Sequence, residues 1–79
     1  MKPEEAWTSV KTIFQDVFTA APPPAPNTRQ GDVPDWDSLG HIRLLMTVER
    51  RLGIKFAAAE MARFACLGDI ASAVAEKKQ

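Results

Sequence analysis

The stretch DVPDWDSLGHIRLL, residues 32–45, gathers Asp32, Asp35 and Asp37 just ahead of Ser38, with His41 close behind. These residue types admit three kinds of chemistry. Asp37 or Ser38 can cap a helix, since either side-chain oxygen can accept a hydrogen bond from an orphan backbone N–H, worth ~1 kcal/mol. Ser38 can act as a nucleophile with His41 as its base. No G-x-S-x-G elbow surrounds it, however, and no separate acid is placed to orient the imidazole, so hydrolase chemistry is disfavoured. In the third reading another enzyme modifies Ser38 and leaves a group attached through a phosphodiester. A phosphate there lies at a helix N-terminus, where partial positive charge and free N–H groups favour an anion. Asp35 and Asp37 offer hard oxygens that could help the modifying enzyme recruit Mg²⁺.

The element that must carry Ser38 is a helix predicted over about 38–52 and ended by Gly53. Its apolar residues fall on two arcs at helical spacing. Leu44, Leu45, Val48 and Leu52 form the wider one, the better candidate for the core. Leu39, Ile42 and Met46 form a second stripe that starts beside Ser38, and Arg43, Arg50 and Arg51 lie between the stripes on one side. A globular surface helix needs only one apolar stripe. The second is either a docking surface, which the adaptable Met46 would suit, or a face packed beneath a neighbouring loop. Geometry leaves both readings open.

Around this helix the pattern predicts an all-α bundle. A first helix over about 3–18 has Pro3 in its first turn, Glu4 and Glu5 at the positive end of its dipole, and Ala6, Trp7, Val10, Ile13, Phe14, Val17 and Phe18 on one face. Residues 19–37 form a long loop in which Pro22, Pro23, Pro24 and Pro26 forbid regular helix and act as a semi-rigid spacer. A short helix over about 58–64 and a last one over about 67–77 follow. Ile70, Ala71, Val74 and Ala73 face inward in the last helix, and Glu76, Lys77 and Lys78 lie at a frayed end. Only the segment Ile54–Phe56 could be extended. The 79 residues are read as one domain, 1–79, near the lower size at which a single core sustains a fold.

Composition narrows the function. The chain is 46% hydrophobic with zero formal net charge, yet residues 1–37 carry −3 and residues 38–79 carry +3. The positive half has no dense basic run and no interleaved aromatics, which argues against nucleic-acid binding. A lone Cys66 excludes an internal disulfide and points to a reducing compartment, and one His with one Cys cannot close a zinc site. No stretch reads as a signal peptide or a membrane span. The expectation is a cytoplasmic monomer with no membrane or nucleic-acid partner and no metal of its own.

With these residues in view, GDVPDWDSLGHIRLL resembles the modification loop of acyl carrier proteins, whose Asp-Ser-Leu opens the second helix. ERRLGIKF is similar to that family's helix-two end and following apolar anchor, and LGDIASAV to the start of its last helix. The resemblance covers nearly the whole chain. It implies a four-helix acyl-carrier-like bundle with a short third helix and a long first loop, without catalysis of its own. A phosphopantetheinyl transferase would move 4′-phosphopantetheine from coenzyme A onto Ser38 in a Mg²⁺-dependent step, aided by Asp35 and Asp37. The terminal thiol of the arm would hold an acyl group as a thioester and pass it from an acyl- or aminoacyl-loading ligase to downstream synthase or transferase enzymes. Cys66 is not that thiol; it reads as a small buried residue. By the same resemblance Leu39, Ile42, Arg43, Met46, Glu49 and Arg50 are expected to contact partner enzymes.

The departures from the family pattern are specific. Many fatty-acid carriers are acidic along the second helix, whereas this one carries Arg43, Arg50 and Arg51 with only Glu49. Cys66 stands where a Thr often caps the last helix. Together with the proline loop these departures imply a specialised carrier in a dedicated polyketide, aminoacyl or modified-lipid pathway. Peptidyl carriers usually show Gly-Gly-His/Asp-Ser-Leu at the site, so Trp36-Asp37-Ser38-Leu39 leans toward an acyl load, with an aminoacyl or peptidyl carrier as the alternative. A reading of a different class is a non-carrier helical adaptor recruited through the proline run.

Overall fold

In a computed structural model, which describes residues 1–78, the chain forms four helices and a single 3₁₀ turn. Gln79, the last residue of the expected domain, lies outside the described residues. Helix α1 spans Pro3–Val17, with Pro3 at its first position and the Glu5 carboxylate accepting the Lys2 N–H at 3.2 Å. Helix α2 spans Ser38–Leu52, and Gly53 ends it in the left-handed conformation at φ 66°. Helix α3 is the short Ala58–Arg63, and α4 runs over Leu67–Lys77. No strand forms among the described residues, and one isolated backbone bridge pairs Arg29 with Cys66. The segment Ile54–Phe56 instead serves as an anchor, with both end residues buried.

The core collects the inward faces of three helices. Ala6, Val10, Ile13 and Phe14 of α1 meet Leu44, Leu45 and Val48 of α2 and Leu67, Ile70, Ala71 and Val74 of α4. Helix α1 is the centre of the packing, against α4 and α2. Trp7, Val17, Leu52 and Ala73 are half-buried at its margin. The second stripe of α2 stays outside: Leu39 is 68% exposed, Ile42 51% and Met46 52%. The proline loop therefore does not cover it.

That loop does more than space two helices. Val33 and Trp36 are buried in the core, and a 3₁₀ turn over Gln30–Asp32 sits between the prolines and the site. Its backbone also completes α4. Cys66, at the cap position, makes no side-chain cap; instead Thr28 O accepts the Leu67 N–H at 3.0 Å and Pro26 O accepts the Gly68 N–H at 2.7 Å. The Gly68 N–H, which a Thr side chain at the cap would bond, is thus satisfied by a loop carbonyl, as is the Leu67 N–H before it. Cys66 itself is half-buried rather than enclosed, because its backbone lies in that seam. The last turn of α4 is likewise tied down: Lys77 Nζ bonds Glu60 Oε1 at 2.8 Å and lies over the Phe56 ring, and the N-terminal ammonium donates to Lys78 O at 2.6 Å.

Candidate functional site

The Asp-rich loop and the head of α2 are held by an aromatic anchor. Trp36, 1% exposed, meets Phe14 edge-on with ring centroids 5.5 Å apart. A buried indole N–H needs an acceptor, and Trp36 Nε1 donates to His41 Nδ1 at 3.0 Å. His41 Nε2 lies 3.2 Å from Met61 O, which fits the neutral tautomer with its proton on Nε2. One imidazole thus ties the loop and α2 to α3. Both of its nitrogens are engaged in that role, so His41 is a structural link and not a base for Ser38. Periodicity could not have found this pairing, because Trp36 sits in irregular chain.

The three carboxylates separate into three roles. Asp32 Oδ2 accepts the Arg29 N–H at 2.9 Å and closes the 3₁₀ turn. Asp37 Oδ1 accepts the Gly40 N–H at 2.8 Å, so Asp37 is the N-cap of α2. Asp35 is exposed. Of the two capping candidates in the sequence, Asp37 takes the task. Ser38 is left as the first helical residue, exposed, with its hydroxyl free of capping duty.

Gly40 sets how closely the loop approaches. A Cβ there would sit 2.3 Å from Asp35 O and 3.1 Å from a Phe18 ring carbon. Only a glycine lets the Asp35 backbone lie against the first turn of α2. Beside it an open hollow of about 260 Å³ is lined by Val17, Phe18, Asp35, Asp37, Leu39 and Arg43. Gly40 and Trp36 are the positioning residues that the sequence reading did not single out; the glycine in DSLG was the available signal.

Along the outer face of α2 the remaining candidates divide. Leu39, Ile42 and Met46 form a continuous exposed stripe, with Arg43 and Arg50 exposed at its edge. Arg51 turns to α1 and pairs with Asp16 at 2.6 Å. Glu49 is half-buried, and its Oε2 accepts the Phe56 N–H at 2.8 Å. Glu49 therefore braces the α2–α3 connection instead of standing free beside the stripe. Among the described residues no three His, Cys, Asp or Glu side chains converge on a metal position.

No family model matches the chain, and no curated protein matches it. Among solved structures it is similar to the NMR solution structure of the holo acyl carrier protein from Geobacter metallireducens. The two superpose with a TM-score of 0.84 at 31% sequence identity, over 92% of this chain and 85% of that one. With an exposed serine opening the second helix of such a bundle, and identity extending over nearly its whole length, the chain belongs to the acyl carrier protein family.

Proposed function

We propose that residues 1–79 act as one carrier domain in which Ser38 bears 4′-phosphopantetheine from coenzyme A. When bound, that arm supplies a terminal thiol that holds an acyl group as a thioester. The observation that carries the reading is the division of labour at the head of α2: Asp37 caps the helix and Ser38 projects into solvent. The site fits the group. A phosphodiester on Ser38 would sit at the positive end of a helix where Asp37 takes the Gly40 N–H and the Ser38 and Leu39 N–H groups lack intrahelical partners. The hollow along Leu39, Gly40 and Arg43 leaves room for the arm's first atoms.

The residues of this chain orient and present. Trp36 and His41 fix the loop, Gly40 brings Asp35 close, and Asp35 and Asp37 offer oxygens to a Mg²⁺ that a phosphopantetheinyl transferase brings with coenzyme A. Two carboxylates do not make a resident metal site, so Mg²⁺ is needed only for modification. Leu39, Ile42, Arg43, Met46 and Arg50 form the face on which loading and downstream enzymes dock. The acyl load, in a specialised pathway and in a cytoplasmic setting, is preferred over an aminoacyl one on the Trp36-Asp37-Ser38-Leu39 sequence. Against the adaptor reading, Pro24 is buried and Pro26 O is bonded to α4, although the run keeps Pro22, Pro23 and Pro26 exposed.

The test is incubation with coenzyme A, Mg²⁺ and a broad-specificity phosphopantetheinyl transferase. Wild type gains the mass of the arm and Ser38→Ala does not. Wild type left unmodified by several such transferases would refute the proposal.

A further inference from the structure

We infer that α2 docks on an enzyme whose apolar recess is edged by carboxylates, so that the charge rule of this carrier's encounters is set by arginine; the inference rests on the carrier reading above. Four observations carry it. Leu39, Ile42 and Met46 present more than half of their surface each to solvent, which is the apolar part of an interface waiting for a partner. Arg43 and Arg50 are exposed along one edge of that stripe and make no ion pair among the described residues. They lie seven residues apart, two helical turns, and so stand on the same side about 10 Å from each other along the axis. Glu49, the only acid within α2, is withdrawn into a hydrogen bond with the Phe56 N–H. The outer face of the helix thus offers two unpaired cations, while its one carboxylate is half-buried and held through Oε2.

The head of the helix has the opposite sign, through exposed Asp35 and Asp37. A docking surface with acid at one end and arginine along its length fixes direction as well as partner. The complementary enzyme places its carboxylates beside the body of α2 and keeps them away from Ser38, where a modified serine must enter. An anionic bilayer fits less well, because it would meet Asp35 and Asp37 with the same charge it offers Arg43 and Arg50.

The test uses the unmodified chain and a purified carrier-dependent ketosynthase whose docking rim is lined by lysine and arginine. Beside it stands a variant of that enzyme with two rim cations changed to glutamate. At low ionic strength the wild-type chain should bind the glutamate variant about tenfold more tightly than its parent. The double variant Arg43→Glu, Arg50→Glu, with its helicity checked by circular dichroism, should reverse that order. Equal affinities, tighter binding to the parent, an order unchanged in the double variant, or no binding to either enzyme would each overturn the inference. So would retention of the wild type, but not the double variant, on phosphatidylserine-containing vesicles, since the cations would then serve a bilayer. Addition of the arm to Ser38 is read separately by mass. A chain that accepts the arm but shows no charge preference defeats the docking inference alone; one that shows the preference but never accepts the arm defeats the carrier reading alone.

Discussion

The Cα of Gly40 faces the carbonyl oxygen of Asp35 so closely that a methyl group on Gly40 would stand 2.3 Å from it. Backbone cannot yield as a flexible side chain can. Gly40→Ala is therefore expected to push the Asp35 loop off α2 and to cost about 1–3 kcal/mol. Urea denaturation checks the loss, and slower addition of the arm to Ser38 checks the displaced loop. A stability equal to wild type would show that the close approach is dispensable.

Capping and presentation separate at Asp37 and Ser38. Asp37→Ala removes the acceptor for the Gly40 N–H and should cost about 1 kcal/mol. Ser38→Ala removes an exposed hydroxyl and should shift stability by less than about 0.5 kcal/mol. Thermal unfolding of the two variants side by side distinguishes them. Equal losses would mean that Ser38 shares the cap.

The indole–imidazole link is expected to behave as a unit. His41→Phe leaves the Trp36 N–H buried without its acceptor and should cost about 1–3 kcal/mol. Adding Trp36→Phe should cost less than the sum of the two single changes, because the second removes a group already unpaired. Chemical denaturation of the four proteins in that cycle gives the coupling directly.

The two stripes of α2 should respond oppositely to substitution. Leu45, 1% exposed, is core, and Leu45→Ala should cost about 2–5 kcal/mol. Met46 lies next to it in sequence but half outside, and Met46→Glu should stay within about 0.5 kcal/mol of wild type. If Met46→Glu unfolds the chain, the outer stripe is core and the docking face is lost with it.

Between α3 and α4, the Lys77 ammonium and then the Ala57 N–H hold the Glu60 carboxyl below its usual range. A depressed folded-state value contributes stability above the ordinary glutamate range and loses it as pH falls through the folded value. Wild type should therefore exceed Glu60→Gln in stability at neutral pH, and the two should converge in acid. Urea midpoints across that range would show the convergence; a gap that widened toward low pH would contradict it.

Much of this was legible in the sequence, for reasons that can be named. Val10, Ile13 and Phe14 announced a helix face by spacing, Gly53 announced a helix end, and the short third helix followed from what remained. The paired apolar arcs of α2 were visible too, with the wider one as the core candidate, but not whether the second is also covered, because that depends on where the proline loop runs. The burial of Val33 and Trp36 in irregular chain leaves no periodic trace. The hydrogen bond from Trp36 to His41, the inward turn of Glu49 and the clash that reserves position 40 for glycine are set by contacts between elements, which spacing along one element cannot express.

The most direct measurement is the intact mass of the chain isolated from its own cells, followed by fragmentation to locate any added group. The account predicts 4′-phosphopantetheine on Ser38, with or without a further acyl increment on its thiol. A chain that carries no group on Ser38 under any growth condition in which it is made, or carries it on another residue, would contradict it.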